Sequence, residues 1–505
     1  MVINKIVKNK LLLNTVLSLS NQLITIICGF ILPRYMLLYY GSEVNGLVSS
    51  VGQFLGVIAF MQLGVGAVVQ SALYKPLAEN DLKSISSVYK SSDRFFKLIS
   101  RIFLGYVFVL VFVYPLIVQN DFDFVYTASL IVIMAFSSFG QYYWGITNML
   151  LLYSDQKIYI PLALDSISII LNTVIAVCLI QAGSSVQVVK FVATLIFLSR
   201  PLIMHIYVKR HYAINKEIQY EEEPLKQKSN GMAQHLSSAA VDNTAMVILS
   251  VLSTLSSVSV YYIYNLIAFG LRQIFCTATV GFQSYFGHIY ATENESTVSN
   301  RFCSFEFLGH VLITIIFSTA SLLIVPFVKI YTTGVTDANY DVPLFALCLV
   351  ISTSIYCYRT LYYVLIKAMG HYKQTQCSAI VEMTINIGLS IILVISFGLV
   401  GVAISLGMAV LYRLSYFVMY LSKQSGILDI KKSISFIVGD TLSISTMLVL
   451  SLFHKYGSDS YIIWIGEALI TAIIATIITL FYHYIINKTY KEVSLRDITY
   501  LLKEK

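Results

Sequence analysis

The chain has 505 residues, 57% of them hydrophobic and only 12% charged. Soluble domains carry about 25% charged residues, so a water-exposed globule is excluded. The formal net charge of +8 would suit a nucleic-acid partner, and the seven cysteines contain no Cys-x-x-Cys pair that would argue for a metal site or a disulfide framework.

In chain order, apolar runs of about twenty residues, each enough to cross about 30 Å of hydrocarbon, recur fourteen times. They cover 11–32, 46–68, 98–118, 127–152, 158–181, 188–208, 232–254, 261–287, 303–327, 343–366, 375–396, 402–421, 433–453 and 461–486. A membrane β-barrel would alternate apolar and polar residues over strands about half as long. The fold class expected is therefore an all-α polytopic membrane protein. Lys5, Lys8 and Lys10 before the first run imitate a signal peptide, but the run carries Asn14, Asn21 and Gln22 and no small-residue cleavage site follows.

After the first span, "GSEVNGLV" has Gly41 and Gly46 at the spacing of a phosphate-binding loop. Leu47 and Val48 replace the lysine and hydroxyl residue such a loop needs, so no nucleotide site is expected. Asp121 and Asp123 in "NDFDF" form a D-x-D pair too common in short acidic loops to predict a metal. Between the sixth and seventh spans, "KEIQYEEEPLKQKSNG" is dense in charge and broken by Pro224. It divides the chain into an N-lobe over 1–208, a cytoplasmic linker over 209–231, a C-lobe over 232–421, and a final pair of spans with a tail over 422–505.

With the N-terminus inside, twenty-five lysines and arginines fall in inner segments and three, Arg34, Lys329 and Lys455, in outer loops. The positive-inside rule then places both termini in the cytoplasm. The charge excess is explained by topology, and no nucleic-acid partner is expected.

Several spans carry polar residues at helical spacing, which puts them on one face. Asn14, Ser18, Asn21 and Thr25 mark the first span, Asn45, Ser49 and Gln53 the second, and Ser137, Gln141 and Asn148 the fourth. His235, Ser238 and Asp242 mark the seventh, Asn265, Arg272, Cys276, Thr279 and Gln283 the eighth, and Thr375, Ser378, Glu382 and Asn386 the eleventh. Small polar groups glue helices together; on a cavity wall Asn14, Gln53 and Gln141 would bind substrate.

Ionisable groups cost at least about 2.5–3.5 kcal/mol each in hydrocarbon. Arg200, Arg272, Arg359 and Arg413 lie deep in even-numbered spans, which run from outside to inside, and together suit a basic vestibule. A planar, permanently charged fork is the natural partner of phosphate. The competing readings are a snorkelling or paired Arg359 and Arg413, an Arg200 serving the kink at Pro201, and an Arg272 paired with Asp242. Asp242 and Glu382 are candidate sites for a coupling proton or sodium ion. Asp165, Asp440 and Glu467 read equally as interhelical glue, Lys190 as a cation near a span end, and His205 and His310 as structural histidines.

The polar first span, "PRYMLLYYGSEVNGLVSSV", "LGVGAVVQSALYKPLAEND", "SVYKSSDRFFKLISRIF" and "SFGLVGVAISLGMAVLYRLSYFVMYL" together resemble bacterial polysaccharide-unit flippases of the Wzx type, in the multidrug/oligosaccharidyl-lipid/polysaccharide exporter superfamily. The resemblance covers nearly the whole chain. It implies two six-helix lobes around a central cavity plus two C-terminal helices, alternating access, and movement of an undecaprenyl-diphosphate-linked oligosaccharide across the bacterial cytoplasmic membrane. It also implies cavity arginines on the diphosphate, carried here onto Arg200, Arg272 and Arg359, and coupling to a proton or sodium ion at Asp242 or Glu382. No cofactor and no enzymatic activity are expected. The partners implied are the lipid-linked glycan, the coupling ion, membrane lipids and a polysaccharide polymerase downstream. The alternatives are a drug or metabolite exporter of the same superfamily and, against the short outer loops, a polymerase or ligase.

Overall fold

The computed structural model describes residues 10–57, 65–215, 232–423, 426–453, 456–457 and 460–490. All regular structure among them is helical. Most of the linker expected over 209–231 and the tail from 491 onward lie outside the described residues. The chain divides into two compact units, Met1–Ala239 and Ala240–Lys505.

In the first unit, α1 (Lys10–Gly56) is two helical limbs meeting at Gly41, whose φ of 84° and ψ of 175° leave the helical region. A positive φ costs glycine little and other residues more, which is why the first two spans join at this residue. α2 (Val65–Glu79) follows. Asp81 then caps α3 (Leu82–Ile117), its Oδ1 accepting from the backbone of Lys83 at 3.0 Å and Ser84 at 3.2 Å. α3 therefore starts well before the apolar run at 98. Its early turns bury Ser86, Ser87, Ser91 and Ser92, small residues that let helices approach closely without raising hydropathy. α4 (Phe124–Ser154) contains a five-residue π-helical turn at Gln141–Gly145. α5 (Tyr159–Gln181) and α6 (Val186–His211) complete the unit. α1 packs on α5, α4 on α3 and α6, and α5 on α6.

The second unit takes in most of α7 (Met232–Leu252), then α8 (Leu255–Thr292), α9 (Glu295–Tyr331), α10 (Pro343–Ala368), α11 (Gln376–Lys423), α12 (Ile430–Ser451) and α13 (Tyr461–Tyr490). α11 also joins two spans at a glycine, Gly398, with φ 53° and ψ −126°. At Gly401 an added Cβ would lie 2.2 Å from the Leu393 carbonyl oxygen. The two glycines of "GLVG" thus do different work, one permitting the backbone turn and one the close approach. α10 packs on α8, α9 and α11, while α12 and α13 pack on each other and both on α9.

Ten helices among the described residues are long and apolar enough to cross a membrane; α11 holds two of the expected spans, and α1 holds the first and the opening half of the second. The seventh and eighth expected spans lie in α7 and α8. Large apolar side chains face outward, with Phe108 67%, Ile395 72% and Ile462 82% exposed, while Arg359, Arg413, Glu306, Glu382 and Asp440 are buried. That reversal of the soluble pattern suits a hydrocarbon solvent. The protein is a multi-pass α-helical membrane protein.

Candidate functional site

In the first unit the π-helical turn and α6 build one pocket. A π turn inserts a residue into the helical register, and such turns are frequent at functional sites. Gln141 begins it, and its side chain lies over Gly145, where an added Cβ would meet Gln141 Oε1 at 2.7 Å. The absent side chain at Gly145 therefore leaves room for the amide. Gln141, Ser137, Ser138, Phe197 and Arg200 line a pocket of about 340 Å3. Arg200 Nη1 is 2.7 Å from Asp165 Oδ1 on α5. Asn21 on α1 donates to the other oxygen of Asp165 at 3.1 Å and accepts from Ser166 at 2.8 Å. A cation, its counter-ion and two amides thus stand together on four helices.

The other polar candidates of this unit are placed differently. Asn14 donates to the Gln156 carbonyl at 3.0 Å and accepts from the Tyr159 amide at 3.0 Å, so its amide braces the α4–α5 connection. Gln53 is half-buried and is not among the residues lining the Arg200 pocket. His205 contacts Asn148 at 3.3 Å, and Asn148 accepts from Tyr89 at 2.8 Å.

In the second unit, Arg272 Nη1 lies 2.8 Å from Asp242 Oδ1. Its guanidinium carbon sits 4.7 Å from the Phe269 ring centroid and 4.4 Å from that of Tyr356, a cation over two aromatic faces. Asn265, Asp242, Arg272 and Tyr356 surround a cavity of about 20 Å3, room for about one water. In this conformation the site is closed around the ion pair.

Glu382 lies between Arg359 of α10 and Arg413 of α11, one guanidinium on each carboxylate oxygen. Glu382 is 0%, Arg413 1% and Arg359 2% exposed. Neither arginine snorkels, and of the two competing readings the structure shows the pair. Both oxygens of Glu382 are occupied by arginine, whereas Arg200 lines a pocket of about 340 Å3.

Asp440 and His310, expected singly as interhelical glue and a structural histidine, belong to one buried network with Thr314 and His483. Asp440 of α12 contacts His310 of α9 at 2.6 Å and His483 of α13 at 3.0 Å, and accepts from Thr314 at 2.6 Å. Glu306, one turn before His310, accepts from Tyr362 at 2.7 Å and Ser433 at 2.6 Å. Glu306, His310 and Thr314 are four residues apart, a stripe visible in the sequence once α9 is phased as a helix. Glu467 accepts from the Gly457 amide at 2.8 Å and closes the turn before α13.

No protein-family model matches the chain. No curated protein sequence matches it either. Solved structures do. Lipid II flippase MurJ, in an inward closed conformation, superposes with a TM-score of 0.67 at 14% identity, over 95% of this chain and all of that one. An inward-facing multidrug resistance MATE transporter of the MOP superfamily superposes with a TM-score of 0.52 at 13% identity, over 86% of this chain and 98% of that one.

The chain shares its fold with these two transporter structures. A match over 95% of the chain leaves too little unmatched to omit both α12 and α13. At least one of the two helices therefore falls within the region matched to MurJ. At this identity the likeness gives the fold, and it does not distinguish a Wzx-type member from others.

Proposed function

We propose that the chain is a flippase that moves an undecaprenyl-diphosphate-linked oligosaccharide from the inner to the outer leaflet of a bacterial cytoplasmic membrane, by alternating access. The observation that carries this reading is the Arg200 pocket, a guanidinium bordered by an amide and two hydroxyl residues in a cavity of about 340 Å3. A guanidinium suits a phosphate, and amides and hydroxyls suit sugar hydroxyls. MurJ, which has the same fold, is named as a flippase of lipid II, a precedent for a lipid-linked cargo.

At Arg200 and at Arg272 the counter-ion is a single carboxylate that can be exchanged. A phosphate reaching Arg200 takes the place of Asp165, and protonation or sodium binding at Asp242 releases Arg272. Exchange of partners lets substrate and coupling ion compete for one cation without leaving a bare charge in hydrocarbon. The distribution of lysine and arginine supports cytoplasmic termini. A polysaccharide polymerase would take the product in the outer leaflet.

The test is reconstitution into vesicles loaded with a fluorescent undecaprenyl-diphosphate oligosaccharide, following its accessibility to a quencher on the far side. Gradient-dependent appearance on that side is expected. Transport of soluble anionic drugs with no movement of the lipid would establish an exporter instead.

A further inference from the structure

Arg200, Arg272, Arg359 and Arg413 each contact a carboxylate. Lys190 does not. It lies in the first turns of α6, half-buried, and among the described residues no carboxylate pairs with it. Three terms oppose a cation there. It is inside an apolar span, it lacks a counter-ion, and it stands at the positive end of a helix whose dipole disfavours it.

Lys190 lines a second pocket of the first unit, of about 350 Å3, with Asn172, Ser137, Ser138 and Thr194. No acidic residue is among its lining. Asn172 is 7% exposed, and its Oδ1 has no hydrogen-bond partner among the described residues. Thr194 is already spent, donating to the Ile133 carbonyl at 3.0 Å. The pocket therefore holds a cation without an anion and an acceptor without a donor. A ligand carrying both a negative group and a hydroxyl would satisfy the two at once. Ser137, Ser138 and Phe197 line this pocket and the Arg200 pocket alike, so the two adjoin. Ten residues of helix separate Lys190 from Arg200, about 15 Å of rise.

We infer that Lys190 and Asn172 form a second anion-binding subsite, on the outer side of Arg200, for a phosphate or sugar carboxylate borne on a hydroxyl-rich ligand. It rests on the flippase reading and extends it. The anionic group of the cargo has two stations along α6, Arg200 toward the cytoplasm and Lys190 toward the exit. An anion at Lys190 is either the diphosphate handed onward or an acidic sugar of the glycan held while the diphosphate stays at Arg200.

The experiment is amine labelling of the purified full chain with acetic anhydride, read at Lys190 by mass spectrometry. Inorganic pyrophosphate and glucuronate are the soluble probes, and phosphatidylglycerol and phosphatidylcholine vesicles the lipid ones. Slowing of Lys190 labelling by about tenfold or more is expected with at least one soluble probe, the value of one charged hydrogen bond. Protection by pyrophosphate identifies diphosphate transfer, and protection by glucuronate an acidic sugar. In Asn172→Leu the protection weakens while the unprotected labelling rate stays the same. Unchanged labelling with both soluble probes, or protection by phosphatidylglycerol vesicles alone, overturns the subsite. Labelling requires no transport, so a chain that moves no lipid-linked glycan yet shows protection defeats the flippase reading and leaves the subsite standing.

Discussion

Arg272 Nη1 lies 2.8 Å from Asp242 Oδ1, yet that oxygen has no aligned hydrogen-bond donor among the described residues. The contact is close enough for an ion pair. The pair is held by charge, with the guanidinium set against the aromatic faces of Phe269 and Tyr356. Asp242 keeps a third of its side chain exposed, against 11% for Arg272. Such a pair can separate when either member finds a better partner. Arg272→Ala is expected to abolish vesicle transport while the protein still inserts, and Arg272→Lys to recover part, because an ammonium lacks the planar fork. Normal transport by well-expressed Arg272→Ala removes Arg272 from the site.

Coupling is tested at Asp242. Asp242→Asn keeps the shape and removes the exchangeable charge, so gradient-driven transport in vesicles is expected to fall at least about tenfold, toward the rate seen without a gradient. Unchanged dependence on both proton and sodium gradients eliminates Asp242 as the coupling group.

The Arg359–Glu382–Arg413 triad is expected to behave as a structural clamp. Removing one partner of a buried ion pair costs about 3–5 kcal/mol. Glu382→Gln leaves two guanidinium groups facing a neutral amide, so thermal unfolding in detergent should begin at a distinctly lower temperature. Transport that survives should keep its gradient dependence. A Glu382→Gln protein as stable as wild type, with coupling lost, would instead make Glu382 the ion site.

Most of this architecture is legible in the sequence because hydrocarbon imposes a length on every span. The joints at Gly41 and Gly398 fall between expected spans, each at a glycine with positive φ. The serine-rich start of α3 was hidden because hydropathy counts Ser86, Ser87, Ser91 and Ser92 as polar, although they are buried against neighbouring helices. Four deep arginines could be found by position. Which of them face a pocket could not, since Arg413 and Arg272 occur at similar depths and differ in what α10, α11 and α7 set against them. Asn14 read as a cavity residue because its stripe is real; the connection after α4 reaches back to it and takes both ends of its amide. Lys190 looked like a snorkelling cation, because a sequence shows neither the pocket beside it nor the missing carboxylate.

The same α4–α5 connection supplies a prediction in pH. Lys157 lies 2.7 Å from Asp155 and 3.1 Å from the Tyr212 hydroxyl, which itself donates to Asp155 at 2.5 Å. Burial alone pushes Lys157 down, but the hydrogen bonds and charge of Asp155 and Tyr212 outweigh it and hold the ammonium above the ordinary lysine range. A raised lysine stabilises the folded state fully below its unfolded value of about 10.4 and ceases to do so as pH climbs through the folded value. Lys157→Met should therefore lose a constant increment of stability, no more than about 1 kcal/mol, at neutral and mildly alkaline pH. The difference from wild type should close only under strongly alkaline conditions. A difference that varies between neutral and mildly alkaline pH would show that another group controls the connection.

Asp440 joins three helices through one carboxylate. It sits on α12, 5% exposed, with His310 of α9 and His483 of α13 on its two oxygens and Thr314 as a further donor. Nearer the other end of the same helix pair, Trp464 of α13 donates to the Leu323 carbonyl of α9 at 3.0 Å, and its ring lies 4.9 Å from Phe327. Asp440→Ala strands two buried imidazoles, each of which costs about 1–3 kcal/mol when left without a partner, while Thr314 keeps the Tyr358 hydroxyl at 2.9 Å. The expected result is a lower unfolding temperature, faster amide exchange along α13, and a red shift of Trp464 emission as the helix loosens from α9. Trp144 is the other tryptophan of the chain, so the shift is read in a Trp144→Phe background. Asp440→Asn retains an acceptor and should fall between Ala and wild type. If Trp464 emission and α13 exchange stay at wild-type values in Asp440→Ala, the carboxylate does not hold these helices together, and apolar packing along α9 does.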